Sequence, residues 1–305
     1  MKILEIIHGI LLGDGSIRSD KNKYFTFQLV AKDKELLEWF RKLYNNFGIK
    51  CWISKNKSNL FLLGFYINSC PFAEFLSLRK EWYKQENGKT VKIIPRNLKL
   101  TPTTLLFWYL GDGSLIRRRY DSNRVPFIVL ATNTFSKEDI DFLIHKLKEL
   151  NLNFYPVKYK SGFTGKSCGY CIYSNTQDGT PFRFFKLLGF KCPKEIENCS
   201  SGSKGIYKEE KFFKGKWPTE EDWIKIFSNT KEISEIIKQK RKQLSLTQRE
   251  VRSIGMTREH IRDIENGRRC ASVHIFKAVL KALNLDITYL LEELGQDNDS
   301  TSKMF

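Results

Sequence analysis

Two short segments carry the residue types and spacing most able to do chemistry. Gly13-Asp14-Gly15-Ser16 ends the apolar run IHGILLGDGSI (Ile7–Ile17), and Gly111-Asp112-Gly113-Ser114 ends LLFWYLGDGSL (Leu105–Leu115). Each run reads as a helix with an aspartate at its C-terminal end, where the helix dipole is already negative. If the two helices pack side by side, two carboxylates and several carbonyls gather in one place, which costs free energy unless a cation is present. A divalent metal with oxygen ligands answers that problem, and Mg²⁺ is the usual choice beside a phosphate. A metal so placed stabilises the attacking and leaving oxygens of a phosphodiester displacement. One such segment alone reads as a turn after a helix; two at matched positions read as a functional pair.

The elements that must position these acids repeat with them. Each motif is followed by a basic stretch with strand character and an amphipathic helix, Asp33–Ile49 and Ser136–Leu152. Two strand-like pieces follow in each half: KCWIS with FLLGFYI, then FYPVKY with GYCIYS. Each half then has a Phe-rich helix, PFAEFLSLRKEW or PFRFFKLLGF, and closes on a lysine shortly before a proline, Lys92 or Lys191. Asp14 and Asp112 lie 98 residues apart, Lys92 and Lys191 lie 99 apart, and the Asp-to-Lys separations are 78 and 79. We read two tandem αββαββα units, residues 1–98 and 99–199, in an α+β arrangement with helices on one face of antiparallel sheets. Gly9, inside the first helix, implies close approach of another helix backbone. Thr101 and Pro102 form the start signal of the second motif helix.

Residues 200–230 read as a polar, basic linker followed by a short helix over WPTEEDWIKIF; residues 231–295 read as wholly helical and 296–305 as a disordered tail. The formal charge of +18 favours a polyanionic partner. No run of residues is apolar enough to span a membrane. Glu5, His8 and Asp14 argue against a secretory leader in the first residues, so a cytoplasmic protein is expected, with organelle or nucleus left open. Seven cysteines are too few and too scattered for a disulfide framework. Cys168, Cys171, Cys192 and Cys199 are one conceivable zinc set, but Cys171 sits in an apolar strand-like run and no second close pair exists, so they are read as thiols.

The paired motifs resemble the LAGLIDADG homing endonucleases, in the single-chain form with two motifs, over about residues 1–199. That resemblance implies two repeats forming a pseudo-twofold saddle, a monomer, and metal-dependent hydrolysis of double-stranded DNA, as in intron homing. It also implies Asp14 and Asp112 as metal ligands, the carbonyls of Gly13 and Gly111 assisting, and Lys92 and Lys191 as active-site lysines. Two positions depart from the family pattern. Phe107 stands where the first motif has Gly9, and where a polar Gln-like residue is usual the second half has Asn133 but the first has Ala31 and Lys32. A non-cutting DNA-binding regulator and an RNA-splicing maturase bound to intron RNA are the alternatives.

Alternation in KYFTFQLV puts Phe25, Phe27 and Leu29 on the helices and Tyr24, Thr26 and Gln28 on the open face of a sheet. With Arg18, Lys21 and Lys23 they form the expected DNA surface of the first half. Arg117, Arg118, Arg119, Arg124, Asn133, Tyr155, Lys158 and Lys160 form that of the second. The run from Ile233 to Leu294 resembles the Cro and phage-repressor helix-turn-helix family through Leu246-Thr247-Gln248, Gly255-Met256-Thr257 and Glu265-Asn266-Gly267. Thr247 and Thr257 suit helix caps and Gly267 a helix stop. By resemblance, Gln248 contacts a phosphate, Arg258, Glu259 and Asp263 face bases with His260 and Arg262 beside them, and Arg241 with Glu265 forms a structural salt bridge.

Overall fold

A computed structural model of the chain describes residues 2–20, 24–31, 34–55, 64–118, 123–160, 167–197, 199, 212–251, 256–268 and 271–296. Lys21, Lys23, Lys32, Arg119, the segment 200–211 and the tail from 297 lie outside these, as do the side chains of Lys160 and Cys168.

The first half runs α1 (Ile3–Leu12), β1 (Ser16–Asp20), β2 (Tyr24–Ala31), α2 (Lys34–Asn45), β3 (Cys51–Lys55), β4 (Phe65–Ser69) and α3 (Ala73–Trp82). It then adds a hairpin absent from the expected pattern, β5 (Tyr83–Glu86) and β6 (Lys89–Lys92). Asn87 and Gly88 at its tip have φ of 49° and 72°, the left-handed pair that a tight hairpin turn demands. The second half runs α4 (Pro102–Asp112), β7 (Gly113–Ile116), β8 (Phe127–Ala131), α5 (Lys137–Glu149), β9 (Phe154–Lys160), β10 (Ser167–Ser174) and α6 (Thr180–Leu188). The strand orders are β1-β2-β4-β3 and β7-β8-β10-β9, so the halves share one topology. All pairings are antiparallel.

Period-2 alternation sorts each sheet into two faces. Ile17 pairs with Phe27 and Leu29 with Ile67 across the first sheet, and all four are buried beneath the helices. Leu115, Ile128, Leu130 and Ile172 do the same in the second. Between the halves α1 packs directly on α4. A Cβ at Gly9 would lie 2.4 Å from the carbonyl oxygen of Thr104 and 2.7 Å from Cβ of Phe107, so only glycine permits that approach. Phe107 need not be small, because its ring leaves the seam and packs on Trp39 (5.7 Å) and Phe40 (5.8 Å) of α2.

After α6 come α7 (Phe212–Lys216) and α8 (Glu220–Ser228). Thr219 and Asp222 close α8 with a reciprocal cap. Trp223 packs edge-on against Phe185 of α6 at 5.9 Å, which fastens α8 to the second half. The other side of α8 receives α11 (Val273–Ala282) and α12 (Ile287–Gln296) of the C-terminal helical domain, whose remaining helices are α9 (Ser234–Gln243) and α10 (Arg258–Glu265). The expected second helix of that domain is present as a turn from Thr247, with Glu250 and Val251 N–H groups donating to its carbonyl; residues 252–255 lie outside the described set. No helix among the described residues is long and apolar enough to cross a membrane.

Candidate metal and nucleic-acid site

The parallel course of α1 and α4 brings their C-terminal ends into contact through glycine. A Cβ on Gly13 would lie 3.6 Å from Asp112 Cγ, and one on Gly111 3.6 Å from the backbone nitrogen of Asp14. Both acids therefore stand where two helix dipoles end. Asp14 is exposed and Asp112 half-buried. Among the described residues neither carboxylate makes an ion pair within 4.0 Å, so the acids are open rather than neutralised in place. Burial first, and Asp14 second, push the Asp112 carboxyl up to about 7, while Lys92 and Lys216 pull the other way.

Two ammonium groups, Lys216 buried and Lys92 half-buried, answer this negative charge. Lys92 ends β6 and donates from Nζ to the carbonyls of Gly13 (3.1 Å) and Gly15 (2.9 Å). Lys216 ends α7 and donates to the carbonyls of Tyr109 (3.2 Å), Leu110 (2.7 Å) and Gly111 (3.3 Å). Each lysine thus caps the C-terminal carbonyls of one motif helix. Burial lowers both to about 8, although Asp112 and Asp14 favour their charged forms. A cavity of about 540 Å³ beside Lys92, lined in part by Pro95, Arg96, Thr134 and Ser136, leaves this flank open.

Lys216 replaces Lys191 as the second lysine at the centre. Lys191 is exposed in the coil after α6. The matched spacing misleads because the two halves diverge after their third helix. The first half makes a hairpin in which Tyr83 pairs with Lys92, whereas the second turns away at Gly189, with φ of 98°. Sequence reasoning missed Lys216 because it lies in a stretch read as linker. The available signal was aromatic: Phe212, Phe213 and Trp217 stand within four residues of Lys216 in the sequence, an apolar content unusual for a solvated connection.

Arg117, expected on the DNA surface, instead holds Lys216 in place. Its Nε donates to Asp222 (2.7 Å), and its two terminal nitrogens donate to the carbonyls of Gly215 and Trp217 (both 2.8 Å). Tyr109 donates its hydroxyl to the carbonyl of Lys216, and Trp217 Nε1 donates to Gly189 (2.9 Å). The guanidinium fork grips the main chain on both sides of Lys216.

The other expected contacts divide. Arg18, Tyr24 and Thr26 sit on the open side of the first sheet, Arg18 opposite Thr26, with Tyr24 59% exposed. Gln28 shares that side but is buried, and its Nε2 donates to Asn68 Oδ1 (2.8 Å), so its amide is engaged within the sheet. Arg124 is exposed before β8. Asn133 lies half-buried in the turn after β8, its carbonyl against Gly169, whose φ of 96° admits that contact. Lys158 alternates with the core residue Phe154 and so points to the helix side, while Tyr155 takes the open side. In the helical domain, Arg258 and Glu259 are exposed on the first turn of α10 and Arg262 on the next, with Asp263 half-buried 3.7 Å from Arg262 Nε. His260 is drawn into the cap of α10, its Nδ1 accepting the backbone N–H of Thr257 at 3.4 Å. Gln248 donates to Glu265 Oε2 (2.9 Å) rather than standing free for a phosphate. Glu265 is already bidentate with Arg241, and Gly267 closes α10 with φ of 63°.

The donor set at the centre suits a hard cation: two carboxylates and main-chain carbonyls, with no thiolate or imidazole. Among the described residues no group of three or more His, Cys, Asp or Glu side chains converges anywhere. Cys171, Cys192 and Cys199 are buried and form no disulfide. Asp14 and Asp112 are the side chains that would hold a divalent ion; the carbonyls of Gly13 and Gly111 are shared with the two ammonium groups.

Residues 4–182 match the LAGLIDADG DNA endonuclease family and residues 237–290 match a helix-turn-helix family. The chain belongs to the LAGLIDADG DNA endonuclease family and carries a helix-turn-helix domain. Two relatives come from Methanocaldococcus jannaschii. Uncharacterized protein MJ1098 is 31% identical over 149 residues, 47% of this chain and 54% of its own length. Uncharacterized protein MJ0314 is 26% identical over 176 residues, 52% of this chain and 60% of its own length. The chain thus spans little more than half the length of these relatives. Among solved structures, the homing endonuclease I-WcaI bound to its DNA recognition sequence is 24% identical with a TM-score of 0.48, covering 60% of this chain and 79% of that one. I-DmoI in complex with DNA and Ca is 13% identical with a TM-score of 0.39, covering 63% and 90%. Lys216 lies beyond the matched family region.

Proposed function

We propose that this chain is a site-specific DNA endonuclease that hydrolyses phosphodiester bonds with a divalent cation, Mg²⁺ in the first instance. The observation that carries the reading is the meeting of Asp14 and Asp112 at the glycine-packed ends of α1 and α4, flanked by Lys92 and Lys216. The carboxylates would hold the ion. When bound, such an ion supplies charge stabilisation to the oxygens of an in-line displacement. The two ammonium groups would stabilise the charge that develops on the phosphoryl oxygens, and burial would strengthen that effect. The open faces of the two sheets would receive the duplex, and the exposed first turn of α10 would add contacts beside the cut site. Purified protein should cut a member of a randomised duplex library in Mg²⁺, and Asp14→Asn should bind the same duplex without cutting it. A library left intact in Mg²⁺ by protein that binds it would overturn the reading.

A second reading, a DNA-binding regulator that does not cut, has one specific observation in its favour. The first half has Ala31 and Lys32 where the second has Asn133, so the Gln-like polar residue usual in the family has a counterpart in the second half and a different one in the first. Footprinting without metal-dependent cleavage would select this reading.

A further inference from the structure

A linker with a short helix, the sequence expectation for residues 200–230, would leave the helical domain free to move against the rest. The described part of that segment, from α7 onward, is built otherwise. α8 has nine residues, and Asp222, Trp223, Lys225, Ile226, Phe227 and Ser228 are all buried. One side packs on the end of the second half, with Phe227 5.9 Å from Phe182 of α6 and Trp223 5.4 Å from Phe190 just after it. The other side is covered by α11 and α12. A helix buried nearly all round is a core element and not a tether. Among the described residues one apolar core runs from Phe185 through Trp223 and Ile233 to Phe276 and Leu290.

The short connection between α8 and α9 is held as well. Asn229 donates from Nδ2 to the carbonyl of Thr176, and Thr230 donates its hydroxyl to the carbonyl of Ile226 (2.7 Å). Glu232 accepts from Arg183 of α6 at 3.0 Å, and the same guanidinium donates from Nε to the carbonyl of Asn151 (2.8 Å). Ile233 is buried. The end of α10 rests on this connection: a Cβ at Gly267 would stand 3.5 Å from Ser234 Oγ and 3.7 Å from Lys231 Cβ. Direct contacts thus join α6 to the connection and the connection to α10, whose Arg258 and Arg262 are exposed.

We propose that α8 is a ruler: it fixes the DNA segment contacted by α10 at one distance and one helical phase from the cleavage position, so that spacing is itself a determinant of specificity. This rests on the reading just given, in which α10 adds contacts beside the cut site. Each base pair inserted between the two segments moves one of them about 3.4 Å along the duplex and turns it by about 35°. A domain on a flexible linker follows such a shift and loses only effective concentration; a domain mounted on a shared core loses the contact. The test uses the full chain without divalent metal and a duplex recovered by binding selection. The α10 segment is the part of the footprint lost in the double variant Arg258→Ala, Arg262→Ala, which should melt like wild type because both side chains are exposed. That variant should bind the parent duplex about tenfold or more weakly. Two, five or ten base pairs are then inserted between the α10 segment and the rest. Each insertion, the full turn of ten included, should bring wild-type affinity down to the double variant's level and change the double variant's own affinity less than about twofold. Wild-type affinity kept within about twofold on the ten-base-pair insertion, with the α10 footprint displaced along with its segment, would overturn the proposal while leaving the endonuclease reading intact. So would a double variant that binds and footprints like wild type, since α10 would then hold no DNA. Failure to bind any duplex would overturn the endonuclease reading itself.

Discussion

The two halves of this molecule share a topology and solve one problem twice, with different material. Each must place an ammonium group on the carbonyls at the end of its motif helix. The first half does so locally: α3 runs into the β5–β6 hairpin, and Tyr83, paired with Lys92, accepts the backbone N–H of Ile17 at 3.0 Å. Arg79 reinforces that contact, its guanidinium 4.0 Å above the Tyr83 ring and donating to the carbonyl of Ile17. The second half has no hairpin and takes its lysine from α7, held by Arg117. In both halves an arginine ties the lysine-bearing segment to the strand that follows the motif. The geometry at the centre is conserved between halves while the chain path that delivers it is not. Because α8 follows directly and packs on α11 and α12, the second half's lysine is built into the same piece that carries the helix-turn-helix domain.

The comparison is broken or sharpened first at the acids. If both halves serve one centre, Asp14→Asn and Asp112→Asn should each lower cleavage by about a thousandfold or more, measured as single-turnover rates on a supercoiled target. Nicking of one strand by one of the variants would instead show that each half serves its own strand. The lysines come next. Lys216→Met should lower the rate about a hundredfold, as loss of one preorganised charge does, while Lys191→Met should change it less than about twofold. The reverse order would restore the matched-spacing assignment.

The arginines test the delivery. Arg117→Ala leaves Asp222, itself buried, with the Thr219 backbone N–H and hydroxyl as its partners among the described residues, and frees the chain around Lys216. We expect a loss of about 1–3 kcal/mol in stability and about a tenfold loss in cleavage rate with binding little changed. Arg117→Lys should recover stability better than rate, because an ammonium cannot span both carbonyls and the carboxylate. If binding fell and rate held, Arg117 would belong to the DNA surface as its sequence position suggests.

How much of this was legible in the sequence follows from how local each signal is. The αββαββα repeats, the glycine at the helix crossing and the Thr101 cap rest on local patterns, the Arg241–Glu265 pair rests on the resemblance to helix-turn-helix proteins, and each is present in the fold. The meeting of the two Gly-Asp-Gly ends was legible because the motif occurs twice. Lys216 was not, because 104 residues separate it from Asp112 and the aromatic residues beside it stand in a segment whose basic charge reads as solvated. Arg117, Gln28 and Gln248 were misjudged for a shared reason: each is polar and on an expected face, but its partner (Gly215 and Asp222, Asn68, Glu265) comes from elsewhere in the fold. Alternation in a strand tells which way a side chain points and not whether another group has already claimed it.

The smallest expected effect is thermodynamic and separates the two acids without any cleavage assay. The Asp112 carboxyl is held at about 7, above its ordinary value of 3.8, chiefly by burial and then by Asp14. A group whose folded value is raised stabilises the fold fully below its unfolded value and loses that contribution as pH rises through the folded one. Metal-free protein should therefore lose about 1–3 kcal/mol on going from about pH 4 to about pH 7.5, an amount set below the full shift because the carboxyl is only half-buried and solvent screens it. Both lysines, lowered only to about 8, stay largely protonated over that window and do not reverse the trend. Thermal melts in a chelator should show the loss, Mg²⁺ should restore it near pH 7.5, and Asp112→Asn should flatten the slope. Asp14→Asn should leave a smaller slope than wild type, since it removes the second of the two causes. A flat profile in the wild-type protein would mean that the second motif's acid is solvated like any surface carboxylate, and that the two halves meet less closely than their glycines imply.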